Sequence, residues 1–177
     1  MTEFIEFPKI ARLSREVIVT EKIDGTNASI FIGDDGAFLT GSRTRWITPE
    51  DDNYGFSRWA HEHKDELLAL GPGTHFGEWW GQGIQRKYGL TEKRFSLFNT
   101  HRWADSRPAC CHVVPVLHTG ILDTARIQGV LDVLASNGSV AAPGFMNPEG
   151  VVIYHSAGNV GFKKTILKDE VPKGQRP

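Results

Sequence analysis

The residues with the most chemistry lie in one short run, Thr20-Glu21-Lys22-Ile23-Asp24-Gly25-Thr26-Asn27, where a lysine, an acid and a glycine stand at K-x-D-G spacing. A lysine amine becomes a nucleophile when desolvation or neighbouring cations keep it neutral. A glycine beside it permits a tight turn and a close approach of backbone to a phosphate. The plain alternative is a surface turn with a solvated Lys and Asp. A second run, Trp79-Trp80-Gly81-Gln82-Gly83-Ile84-Gln85-Arg86-Lys87-Tyr88-Gly89, interleaves aromatics with cations. That is the make-up of a surface that stacks bases and binds phosphates, or of a packed glycine-rich loop. His61 and His63 stand at i,i+2 and cannot share a helix face as metal ligands. Cys110 and Cys111 are adjacent, which fits neither a disulfide framework nor a zinc site.

Positioning these groups falls to strands joined by tight turns. Glu16–Thr20 and Ala28–Ile32 are β-rich, and Gly33-Asp34-Asp35-Gly36 is a hairpin signal into a third strand at Ala37–Thr40. Gly55–Leu70 has helical periodicity, closed by Gly71-Pro72-Gly73. Thr74–Trp79 and Arg94–Phe98 read as further strands, and Cys111–Leu117 as one strand that Pro115 pushes to a sheet edge. A second helix spans Asp123–Ser136 before Asn137-Gly138, and a last hairpin joins Gly150–Tyr154 to Val160–Ile166. Without regular βαβ alternation, this is an α+β domain built on antiparallel sheets.

Composition bounds the function. The 177 residues suffice for one buried core, and 20 Lys+Arg against 21 Asp+Glu give a net charge of −1. A wholly basic nucleic-acid coat is excluded, so any nucleic-acid contact comes from a local patch. No apolar run reaches membrane-helix length and the start lacks a signal-peptide pattern, so the expectation is a cytoplasmic protein with no membrane partner.

The segment EKIDGTN resembles the nucleotidyltransferase signature of covalent ligases and mRNA capping enzymes, and with its asparagine is similar to the RNA-ligase branch, notably the phage enzymes that seal nicks in double-stranded RNA. Five further matches follow in the family's order. Gly41-Ser42-Arg43 resembles the arginine motif, Phe76-Gly77-Glu78 the F-x-E/F-G-E motif, and Arg94-Phe95-Ser96-Leu97-Phe98-Asn99 the aromatic motif. Pro148-Glu149-Gly150-Val151-Val152 resembles the E-G-[VL]-[VI] strand, and Phe162-Lys163-Lys164 the final lysine motif. The matches span Lys22 to Lys164.

The resemblance implies the adenylyltransferase core of the ligase and capping type, and an ATP-dependent RNA ligase. Lys22 attacks the α-phosphorus of ATP, the AMP passes to a 5′-phosphate end, and a 3′-hydroxyl then displaces it. It implies Lys22, Lys163 and Lys164 as catalytic residues, the last two neutralising phosphate charge and, as like charges, depressing the lysine pKa. Around ATP it implies the backbone of Glu21 at the adenine edge, Asn27 near the reacting ends, Arg43 on a phosphate, Glu78 on the ribose, and Lys163. Phe98 is the adenine stacker, with Phe95 as its rival. Glu149 is implied as the ligand of Mg²⁺ or Mn²⁺. Arg43, Arg45, Arg86 and Lys87 are the expected nucleic-acid contacts, on RNA or RNA-containing nicked duplex.

Three departures stand out. Most relatives end in Lys-x-Lys, whereas Thr165 fills the second slot here, so either Lys164 takes over or that role is absent. The aromatic motif ends in Asn99 rather than aspartate. Thirteen residues follow Lys164, so the expectation is a stand-alone monomeric core at 1–168, a tail at 169–177, and no C-terminal accessory domain. A GTP-dependent capping-type transferase and a non-catalytic module binding nucleotides or nucleic-acid ends are the alternative readings.

Overall fold

Alternation of buried and open side chains builds two sheets. In β1 (Glu16–Lys22) Val17, Val19 and Glu21 are buried on one face, while Ile18, Thr20 and Lys22 are half-buried on the other. The chain continues through β2 (Thr26–Ile32), β3 (Phe38–Gly41) and β4 (Trp46–Ile47). Helices α1 (Phe56–Glu62) and α2 (Lys64–Leu67) follow, with a 3₁₀ turn at Leu68–Leu70. Next come β5 (Gly73–Gly81), β6 (Lys93–Leu97), α3 (Thr100–Trp103), β7 (Cys111–Val113) and β8 (Val116–Ile121). Helix α4 (Thr124–Asn137) and the hairpin β9 (Gly150–His155) and β10 (Val160–Thr165) complete it. This computed structural model describes residues 2–171; positions 172–177 of the expected tail lie outside them.

The first sheet has the order β10-β9-β1-β8 and is antiparallel throughout. The second has the order β4-β3-β2-β5-β6-β7, antiparallel except for the β6–β7 pair. The fold class is therefore α+β with antiparallel sheets. Val17, Val19, Val151 and Ile153 pack under α4 on Ile127, Leu131 and Leu134. The larger core joins α1 and α2 to the second sheet through Phe56, Ala60, Leu67, Trp79, Phe95 and Leu97. A third cluster of Ile23, Trp80, Tyr88, Val114 and Ala142 draws residues from both sides of the seam between the sheets.

Three expectations change. The single strand at Cys111–Leu117 is two, β7 on the edge of one sheet and β8 on the edge of the other. Pro115 cannot donate to a ladder, so the chain crosses between sheets there, its carbonyl accepting the Glu21 N–H at 3.0 Å. The long helix breaks at His63, whose ring stacks on Trp59 (5.0 Å) and whose Nδ1 lies 2.9 Å from the Trp59 carbonyl, competing with the helical ladder. The sequence reading also missed β4 and α3. Asn99 is the N-cap of α3, its Oδ1 accepting the Arg102 N–H at 3.1 Å, a task asparagine and aspartate perform equally. Among the described residues no helix is long and apolar enough to cross a membrane.

Candidate active site

The K-x-D-G run is the other crossing between the sheets. Lys22 is the last residue of β1, Thr26 the first of β2, and Ile23-Asp24-Gly25 spans the gap. Gly25 is required by β5 rather than by a ligand. A Cβ there would collide with the Trp79 carbonyl and come within 2.7 Å of the Trp80 Cβ. Its N–H donates to Glu78 Oε1 at 3.0 Å. The turn is thus pressed onto the second sheet while Lys22 belongs to the first.

Glu149 touches the lysine, Glu78 acts on it from the other sheet, and Asp24 follows two residues later. Lys22 Nζ donates to Glu149 Oε2 at 2.7 Å, and Glu149 is 3% exposed at the start of β9. Glu78 Oε2 accepts the Asn27 Nδ2–H at 3.2 Å. Burial pushes the Glu78 carboxyl up to about 7; Lys22 and the Gly25 N–H oppose the shift, and the negative charges of Glu149 and Asp24 reinforce it. Asp24 Oδ2 accepts from Arg86 Nε at 3.0 Å, and the Asp24 N–H donates to the Tyr88 hydroxyl at 2.7 Å.

Strand register separates the two lysines of β10. Thr20, Val152 and Lys163 lie in one lateral row, and Lys22, Gly150 and Thr165 in the next on that face. Lys163 therefore shares the Lys22 face. Lys164 pairs with Val151 on the opposite face, 3.5 Å from Asp169. Its expected catalytic place beside Lys22 is corrected: the period of two turns it away. The second motif slot is Thr165, which is buried, with its Oγ1 donating to the Leu167 carbonyl at 2.9 Å. Asp169 accepts the Thr165 N–H at 2.8 Å, so the expected tail is tied to β10 at its first residue.

On the facing sheet, Asn27, Glu78 and Ser96 form one lateral row. The next holds Gly41, Ser29 and Phe76, joined by Phe98 through its N–H to the Phe76 carbonyl at 3.0 Å. Phe98 is 41% exposed on this face, whereas Phe95 is fully buried against Phe56 and Trp59, so Phe95 is core and not a stacking surface. Arg43 is exposed at the tip of the β3–β4 hairpin.

Several expected contacts are internal. The Glu21 carboxylate, as distinct from the backbone expected at the adenine edge, is buried against the loop after α4, accepting from Ser139 Oγ (2.6 Å), Val140 N (2.8 Å) and Ala141 N (2.9 Å). Trp79, Trp80 and Tyr88 are each at most 2% exposed, so the aromatics of that run are core and do not form a base-stacking surface. Arg86, expected on nucleic acid, is instead tied to Asp24 and to Asn147 and Pro148. Arg45 is held bidentate by Asp51 at 2.6 and 3.0 Å. Lys87 is exposed. Asn147 went unnoticed in the sequence, and Tyr88 was read only as an aromatic of its run, because their partners lie far away in the chain.

Comparison with known proteins agrees with this architecture. The RNA ligase family model matches residues 15–168. A Naegleria gruberi RNA ligase variant solved with ATP and Mn superimposes with a TM-score of 0.67 at 20% identity, covering 86% of this chain and 50% of that one. A second variant of that ligase, with AMP and Mn, gives 0.65 at 19% identity over 86% and 50%, and an apo variant gives 0.64 at 20% over the same shares. The chain spans about half the length of these structures. Comparison with curated proteins found no match. With the family model matching residues 15–168, most of its length, this chain belongs to the RNA ligase family.

Proposed function

We propose that the protein is an ATP-dependent RNA ligase that joins 3′-hydroxyl and 5′-phosphate ends through a lysyl-AMP intermediate. The observation that carries this reading is the placement of Lys22 Nζ at the seam, 2.7 Å from a buried Glu149 and facing Glu78 on the other sheet. The Naegleria ligases of the same fold were solved with ATP or AMP and Mn.

In the first step the Lys22 ammonium loses a proton to solvent. Its lone pair then forms an N–P bond to the α-phosphorus while the bond to pyrophosphate breaks. Lys163, on the same face of the first sheet, supplies positive charge toward the phosphates. Phe98 offers an open ring to adenine, Glu78 and Asn27 address the ribose and the reacting ends, the Glu21 backbone lies at the adenine edge, and Arg43 holds a phosphate from the hairpin rim. The AMP then moves to the 5′-phosphate of the RNA, and a 3′-hydroxyl displaces it. Lys164 has no part in this scheme.

The residues suit a divalent cation. Among the described residues no group of three His, Cys, Asp or Glu side chains forms a metal cage, and Glu149 is a single hard oxygen donor beside the nucleophile. One carboxylate completed by substrate phosphates is how Mg²⁺ or Mn²⁺ is commonly held. Bound there, the cation would neutralise charge developing at the α-phosphate.

Incubation with nucleotide labelled at the α-phosphate, followed by a denaturing gel, tests the reading. Label should stay on the protein from ATP, vanish with EDTA and be lost in Lys22→Ala. Label from GTP alone would indicate a capping-type enzyme, and label from neither a binding module.

A further inference from the structure

Contacts around the seam close into a ring. Lys22 Nζ reaches Glu149 at 2.7 Å; two residues after Lys22, Asp24 Oδ2 receives Arg86 Nε at 3.0 Å. The same guanidinium donates through one nitrogen to the Asn147 carbonyl (2.9 Å), Asn147 Oδ1 (3.1 Å) and the Pro148 carbonyl (3.1 Å). Pro148 is the neighbour of Glu149, so the ring returns to its start. Arg86 bridges the nucleophile's turn to the segment carrying the proposed metal ligand.

The loop presenting Arg86 is built for that position. Gln85, Lys87 and Tyr88 all have positive φ, at 45°, 62° and 51°, a conformation that side-chain-bearing residues adopt only when their surroundings impose it. Tyr88 imposes it here. Its ring lies 5.0 Å from Trp80 and 4.6 Å from Phe145, and its hydroxyl accepts the Asp24 N–H at 2.7 Å. Ile84, fully buried, pins the other side. Asp24 is thus gripped twice by one loop, at its amide by Tyr88 and at its carboxylate by Arg86. A planar guanidinium can serve a carboxylate and two backbone carbonyls together; an ammonium on a flexible stem cannot hold the same fork.

We propose that Arg86 is a positioning residue for the first chemical step, a clamp that fixes the Lys22 turn against the Asn147–Glu149 segment so that amine and carboxylate meet. It deepens the ligase reading and rests on it. Arg86 touches neither the nucleotide nor the reacting atoms in this account. Its loss should therefore lower the rate of lysyl-AMP formation far more than it weakens ATP binding.

The test measures single-turnover adduct formation against ATP concentration for wild type, Arg86→Ala, Arg86→Lys and Arg86→Gly, with amide hydrogen exchange on each protein. Arg86→Ala should slow adduct formation at saturating ATP at least thirtyfold and change the half-saturating ATP concentration less than threefold. Arg86→Lys should recover less than a tenth of the wild-type rate, and millimolar guanidinium should rescue Arg86→Gly but not Arg86→Lys. Exchange should rise at least tenfold in both 22–27 and 147–150 while α4 keeps its protection. Arg86→Ala within twofold of wild type overturns the proposal. So does loss of activity without guanidinium rescue, accompanied by faster exchange throughout the chain. If wild type forms no adduct the ligase reading fails, and the exchange of 22–27 and 147–150 in Arg86→Ala still decides for or against the clamp.

Discussion

The seam between the sheets and the rim around it carry the same charged residue types, and the fold uses them oppositely. At the seam, Arg86 meets Asp24 with both side chains largely buried, at 23% and 8% exposure; at the rim, Arg45 meets Asp51 with both largely open, at 47% and 75%. Breaking a buried pair strands a charge away from water, whereas an exposed pair contributes about 0–1 kcal/mol. Two arginines that look interchangeable in sequence are therefore a strut and a surface contact. The difference lies in depth, which no local spacing reports.

The largest effect expected at the seam comes from Glu78. Burial pushes its carboxyl up to about 7, above the ordinary glutamate value near 4.5, so between those values the native state holds a proton that the unfolded chain has released. Stability of the nucleotide-free protein should fall as pH rises through this window, by at most about 3 kcal/mol. Glu78→Gln removes the titration, and urea melts from pH 4.5 to 7.5 should then be flatter than wild type. An equally steep Glu78→Gln profile would place the titrating group elsewhere.

A smaller effect is expected at the rim. Of the four cations expected on nucleic acid, Arg43 and Lys87 are exposed and, among the described residues, belong to no ion pair. Changing both to Gln should lower the slope of log K against log salt for RNA binding by about 1.4 to 1.8. Arg45→Gln, whose guanidinium is already neutralised by Asp51, should change that slope by less than about 0.7, the value of one full phosphate contact. Equal effects from Arg45 and from the Arg43/Lys87 pair would erase the distinction between tied and free rim cations.

Legibility in the sequence follows the same division. The turn at 22–27 was readable because its chemistry sits in one contiguous run, and most of the strands were readable as β-rich runs between turn signals. The parting of Lys163 from Lys164 was available in principle from the period of two, but a doublet read as charge alone hides it. Pro115 carried the signal for a break as well as for an edge, since a residue without an N–H ends a ladder as readily as it borders one. The Arg86 clamp was not legible. Its partners stand 61 and 62 residues away on either side, and only the packing of Tyr88 and Ile84 brings them within reach.

The central claim is that Lys22 becomes the AMP-bearing residue. Peptide mapping by mass spectrometry after incubation with ATP and Mg²⁺ tests it most directly. The account predicts an AMP adduct on the peptide containing Lys22, acid-labile as a phosphoramidate is, and absent from Lys22→Ala, which should still seal a strand supplied already adenylylated. An adduct mapped to Lys163, Lys164 or any other residue, or one that survives in Lys22→Ala, would contradict it.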